Sequence, residues 1–273
     1  MEVKLSTLAI LMLGALIALP YLIPFYWMVL ASFRDAATAQ EPLLAPVVQT
    51  VENYVVVLNT QGFLRWYFNS LVISILTTLI SVTISAISGY AFARLDFPMR
   101  DKLFLLLLGT LMIPFPITIV PNFILILKLG WVNTYQGIIV PTLAYVVGVF
   151  LMREFFKTIP YEVEEAAVLD GATPWDIFFR IMIPLARPAL SAVAIYTFVS
   201  AWNNFLWPLI VAQTSDMFTV PVGLNFFKTA NGQAIEWNYL MAGTTLSIIP
   251  TIVIYAVFQR YFTRGIAFTG VKR

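Results

Sequence analysis

Long apolar runs alternate with short polar connections along almost the whole chain. A bilayer-spanning helix needs about 20 mostly apolar residues, and six stretches are read as spans: Thr7 to Ser32, Tyr67 to Phe92, Leu103 to Leu127, Gly137 to Met152, Pro188 to Ala212 and Tyr239 to Phe258. The fourth is the shortest and is expected to recruit flanking residues on its N-terminal side. Lys4 ahead of the first run is reminiscent of a signal peptide, but the run is too long and lacks a small-x-small cleavage site followed by a soluble domain, so it reads as a retained anchor. The expected fold class is all-α: a polytopic membrane protein with six transmembrane helices.

One polar stretch between the runs also reads as ordered helix: PYEVEEAAVLDGATPWDIFFRIMIP, Pro160 to Pro184. Pro160 suits a first helical turn, Glu162, Glu164 and Glu165 suit the positive end of the helix dipole, and Gly171 ends the helix. A second start follows, with Thr173 as cap, Pro174 at the first helical position and Asp176 three residues after the cap. Ala166, Ala167 and Leu169 are expected to form a small apolar patch on the first helix, and Trp175, Ile177, Phe178 and Ile181 a larger one on the second. Two short helices at a glycine bend make a compact elbow; a plain connecting hairpin is the other reading.

Composition agrees with a membrane location. The 273 residues are 60% hydrophobic and 11% charged, with a mean hydropathy of +0.86. A net charge of +2 points to no nucleic acid partner, and the lack of cysteine and histidine excludes disulfides and the usual zinc sites. Basic residues set the expected orientation. With the N-terminus cytoplasmic, the outer side holds only Arg34, Arg65, Lys128 and Lys228, and the other twelve of the 16 basic residues lie inside. Both termini and the elbow are then cytoplasmic.

Several spans carry features beyond hydrophobicity. Ser81, Ser85, Gly89 and Ala93 recur every four residues, a face that lets another helix approach closely. Pro114, Pro116 and Pro121 prevent continuous helical hydrogen bonding through the outer half of the third span, and Asn122 beside them fits either a cavity wall or a packing kink. In the fifth, Tyr196, Ser200, Asn203, Asn204 and Trp207, with Trp202 alongside, are read as one polar and aromatic stripe. Asn203 and Asn204 lie about 22 Å above the inner surface at 1.5 Å rise per residue. Such a stripe suits a path for a hydroxyl-rich solute, or equally helix–helix hydrogen bonding plus an interfacial tryptophan belt. Between the first two spans, residues 33–66 read as an irregular segment with a short helix near Glu52 to Leu58, either a passive loop or a contact for an external partner.

No Asp, Glu, Lys or Arg lies in the middle of a span. Ion-coupled carriers generally need ionisable groups or discontinuous helices there, and the first is missing. No phosphate-binding loop ends in Gly-Lys-Ser or Gly-Lys-Thr, and no nucleophile, base and orienting group assemble in the pattern, so no catalysis is expected of this chain alone. An ion-coupled or facilitative carrier and a structural scaffold stand as alternatives to a subunit powered from outside.

Glu165-Ala166-Ala167, three residues, Gly171, nine residues, then Ile181-Met182-Ile183-Pro184 resembles the EAA loop of permease subunits of binding-protein-dependent ABC importers; Ile183 replaces the usual leucine. Tyr90-Ala91-Phe92-Ala93-Arg94, AWNNFLWPLI at 201–210, and Gln259-Arg260 with Gly265 in the tail are similar to other parts of the carbohydrate class of that family, exemplified by maltose, trehalose and glycerol-phosphate importers. The resemblance implies a single transmembrane domain over 1–273, with a peripheral first helix (7–32), a core (67–262) and a cytoplasmic coupling loop (160–184). It implies a second homologous permease, a separate ATPase dimer carrying ATP and Mg with no cofactor in this chain, an extracytoplasmic binding protein, and a bacterial or archaeal inner membrane. Glu164, Glu165, Ala166, Ala167, Asp170, Gly171 and Arg180 would meet the ATPase. Phe226, Lys228, Asn231 and Gln233 would meet the binding protein. Since no Arg or Lys is visible in the spans, a neutral sugar or oligosaccharide is expected over a phosphorylated solute.

Overall fold

A computed structural model describes residues 5–41, 48–60, 62–227 and 236–269. Every regular element among them is helical. The order is α1 (Leu5–Ala31), α2 (Glu52–Asn59), α3 (Phe63–Arg94), α4 (Arg100–Gly109), α5 (Phe115–Lys128), α6 (Tyr135–Ile139), α7 (Val146–Thr158) and α8 (Glu162–Leu169). It continues with α9 (Pro174–Asp176), a π-helical stretch over Ile177–Met182, α10 (Ile183–Leu185), α11 (Arg187–Trp202), α12 (Leu206–Val211), α13 (Val220–Phe227) and α14 (Trp237–Thr269).

Three helices are long and apolar enough to cross a membrane unbroken: Met12–Ala31 of α1, α3, and Trp237–Gln259 of α14. Three bent helix pairs pass the same test together, giving up to six spans among the described residues with each pair counted as one. Arg100–Met112 meets α5 at 99°, Tyr135–Thr142 meets α7 at 46°, and Pro174–Leu185 meets α11 at 74°. The first bend has a clear origin. Ile113 precedes a proline and takes an extended conformation, φ −86° and ψ 111°, after which Pro114 leads into α5. The expected interruption of the third span is therefore a bend of about a right angle.

The chain divides into two compact units, Met1–Leu64 with Val222–Ile249, and Arg65–Pro221 with Pro250–Arg273. In the first, α1 is exposed from residue 12 to 26, as an apolar helix facing lipid would be. Its far end is tied down by Asn53 of α2, the short helix expected there. The buried Asn53 carboxamide donates to the Ser32 and Arg34 carbonyls at 2.9 and 2.7 Å and accepts from Asn238 of α14 at 2.9 Å.

In the second unit, α3 and α7 pack through the small-residue face. Ser81 and Ser85 are fully buried, Ser81 Oγ donates to the Leu143 carbonyl, and Gly148 on α7 lies against the Ser85 hydroxyl. Two apolar cores flank this seam. One gathers Tyr90, Met152, Phe156, Ala167, Ile177, Phe178 and Met182; the other gathers Ile73, Ile126, Ile138, Trp207 and Val211. Asn69 closes the second core, donating to the Asp216 and Phe218 carbonyls and accepting from the Tyr135 hydroxyl.

Candidate functional site

The elbow forms as its local signals require. Helix α8 carries Glu162, Glu164 and Glu165 in its first turn, and Gly171 stops it with φ +83°, a left-handed conformation open to glycine. Thr173 then caps α9: its hydroxyl accepts from the Asp176 amide while the Asp176 carboxylate accepts from Thr173, the full capping box. These hydrogen bonds from Thr173, with a smaller contribution from Arg180, hold the Asp176 carboxyl below its usual range.

Helix α8 has two faces of different character. Val163, Glu164 and Ala167 turn inward, whereas Glu165, Ala166, Val168 and Leu169 turn outward. The expected patch of Ala166, Ala167 and Leu169 is thus split, because Ala167 is buried in the core while Leu169 is 88% exposed. On the second half, Ile177 and Phe178 are buried in the core, and Trp175 and Phe179 remain outside, stacked at 5.9 Å. The exposed apolar face of the elbow is therefore Val168, Leu169, Trp175 and Phe179.

Glu164 departs most from expectation as an outward contact. Its Oε1 lies 2.9 Å from Arg94 Nε, and its Oε2 takes a 3.2 Å contact from the Tyr90 hydroxyl. A half-buried side chain with both oxygens turned to α3 faces its own helix bundle first. Glu165 and Asp170 are exposed, and Arg180 is exposed and pairs with Asp176 at 3.2 Å. Arg94, the last residue of the aromatic-basic segment YAFAR, is the cation that draws Glu164 inward.

The polar stripe of the fifth span does not survive as a stripe. Helix α11 ends at Trp202, and the backbone leaves helical geometry before α12 begins at Leu206. Trp207 is fully buried, its indole donating to the Gly137 carbonyl at 3.1 Å, and Trp202 is buried against Tyr67 and Phe198. Neither tryptophan lines a path within this unit. Asn203 is exposed at the end of α11, Tyr196 is exposed and stacks on Tyr145 at 5.2 Å, and Asn122 sits half-buried on α5.

The break instead brings Asn204 and Ser200 to a cavity of about 100 Å³ together with Thr77, Thr142, Tyr145 and Thr197. Four hydroxyl-bearing residues here went unnoticed in sequence, since single threonines in apolar spans usually bond their own helix. Thr142 and Thr197 do so, with Ile139 and Val193. Thr77 does not: its hydroxyl is buried with no hydrogen-bond partner among the described residues. Of the residues expected to meet a binding protein, Phe226 lies on α13, while Lys228, Asn231 and Gln233 fall outside the described residues.

Residues 82–268, which hold the elbow and the cavity's α11 wall, match the family described as binding-protein-dependent transport system inner membrane component. The chain belongs to this family. Among its relatives are an arabinooligosaccharides transport system permease protein, AraQ, of Halalkalibacterium halodurans, 39% identical over 94% of both chains, and a trehalose/maltose transport system permease protein, MalG, of Thermococcus litoralis, 35% identical over 96% of both. The fold of this inner membrane component is shared with a bacterial ABC transporter involved in import of the acidic polysaccharide alginate, with a TM-score of 0.79 at 24% identity over 96% of this chain and 99% of the other. The family resemblance read from the EAA-like segment is borne out.

Proposed function

We propose that this chain is one of two permease subunits of an ATP-driven importer for a neutral oligosaccharide. The elbow seats on a separate ATPase that binds ATP and Mg, and an extracytoplasmic binding protein delivers the solute. The observation that carries this reading is the division of the elbow into a clamped inner face and an uncovered apolar outer one. Val168, Leu169, Trp175 and Phe179 would cost the free chain solubility if nothing covered them. They also stand on a base held by an ion pair and a packed core, which is what a surface meant to receive a push requires.

The class of solute is supported by the chemistry of the cavity and by the relatives named above. Amide and hydroxyl groups of Asn204, Ser200, Thr77 and Thr142 offer donors and acceptors without net charge. Glu165, Ala166 and Gly171 complete the proposed ATPase contact, with both termini on that side of the membrane. Co-expression with a partner permease and an ATPase tests the assignment. Leu169→Asp is expected to leave the chain in the membrane and abolish co-purification of the ATPase; undiminished ATPase recovery rejects the elbow as the contact.

A second reading has one observation in its favour. Ion-coupled carriers hold their sites at discontinuous helices, and the breaks at residues 113–114 and 203–205 are discontinuities of that kind. Uptake that survives ATP depletion but collapses with an ionophore would establish it.

A further inference from the structure

Within the reading of the elbow as the ATPase contact, we propose that Arg94 is the positioning residue that fastens the elbow to α3, so that α3 carries the elbow's displacement into the membrane. The end of α7, the start of α8 and the turn between them converge on its guanidinium, whose side chain is 1% exposed. From α8 comes Glu164, 2.9 Å from Nε. The end of α7 supplies the Phe156 carbonyl, 2.7 Å from Nη2, and beyond it the Ile159 carbonyl accepts from the same nitrogen. The Tyr161 ring lies under the guanidinium, 4.1 Å from it, and Tyr90, one turn back on α3, reaches the other Glu164 oxygen.

Arginine suits this post. It stays charged when buried, and its planar fork serves several acceptors at once, which a lysine ammonium on a single point cannot. The Phe156 carbonyl belongs to the last turn of α7, at the negative end of its dipole, and accepts from the Ile159 amide as well as from Arg94. A buried ion pair contributes little to stability against an apolar replacement, yet removing one member strands a charge. What the cluster supplies is fixed geometry between α3, α7 and α8.

The routes out of the elbow differ in stiffness. Onward along the chain, the force must pass a π-helical stretch and a 74° bend before α11; backward, it meets a 46° bend at the start of α7. Helix α3 runs 32 residues without a break. Among the described residues it is the unbroken span that meets α8 by an ion pair, and Arg94 is the point of attachment. The other described arginine pairs near this end do not reach α8: Arg100 pairs with Asp96 and Asp101, Arg153 with Asp101 and Glu154, and Arg180 with Asp176.

The test uses the assembled complex in proteoliposomes with permease partner, ATPase and solute-loaded binding protein, comparing Arg94→Met, Glu164→Gln and the double variant. ATPase is expected to remain bound, while solute moved per ATP hydrolysed falls about tenfold in each single variant and no further in the double. A merely structural role would lower the yield of complex and leave that ratio unchanged, and an unchanged ratio overturns the proposal. Failure of the parent chain to bind any ATPase would instead remove the reading beneath it. If Arg94→Met does not fold, Tyr90→Phe and Tyr161→Leu strip only the rim of the cluster. Each is expected to lower the ratio about twofold, and no change in either overturns the proposal.

Discussion

Gly89 and Met152 meet at backbone distance: a β-carbon on the glycine would lie 2.5 Å from the Met152 Cβ and 2.9 Å from the Arg153 amide nitrogen. Neither neighbour can swing away, since one is a β-carbon and the other main chain. Gly89→Ala is therefore expected to push α3 from α7 and cost about 1–3 kcal/mol, read as a lower melting temperature in detergent. Gly14→Ala, with open space around it, is the control and should not lower it. Equal melting temperatures for the two variants would contradict the close seam.

Trp207 is expected to behave as a packing residue. Trp207→Phe removes the donor to the Gly137 carbonyl and leaves that acceptor buried, at about 1–3 kcal/mol. Melting should fall while the KM for uptake stays near that of the parent. A large change in KM with intact melting would return Trp207 to the path.

The two neighbouring asparagines should separate. Asn204 lines the hydroxyl-rich cavity and Asn203 is exposed outside it. Loss of one hydrogen bond to solute corresponds to about tenfold in uptake affinity, so Asn204→Leu is expected to raise KM by that order and Asn203→Leu to leave it nearly unchanged. Equal effects, or the reverse order, would remove the cavity from the solute's route.

Acid should selectively weaken the cap of the second elbow helix. Asp176 is held below the usual carboxylate range by its hydrogen bonds with Thr173, with Arg180 assisting. Its folded-state pKa lies below the unfolded one, about 3.9. The contribution is thus complete above that pH and disappears as pH falls through the lower, folded value. The melting-temperature gap between the parent and Asp176→Asn should be present at pH 7 and shrink in acid. A gap that does not change with pH would show that the carboxylate's charge plays no part.

The elbow was legible because its signals are local. Proline, an acidic first turn, glycine and a Thr-x-x-Asp cap lie within 25 residues of one another, and each acts through its own backbone. The prolines before α5 announced a break for the same reason, though not its 99° angle. The inward turn of Glu164 was not legible: Glu164 and Glu165 are adjacent identical residues, and Arg94, which distinguishes them, is 70 positions away. The break after Trp202 was hidden as well. No proline or glycine marks residues 203–205, and spacing alone continued the helix through them to Trp207, a residue whose ring serves equally well in a core.

Gly171 carries one more implication. Among the described residues nothing lies within 4 Å of where its β-carbon would stand, yet its φ is +83°. The position thus discriminates by handedness and not by size: an L-alanine there meets about 1–2 kcal/mol of backbone opposition, whereas a D-alanine, introduced by chemical ligation, would find its preferred conformation ready-made and lock the bend in place.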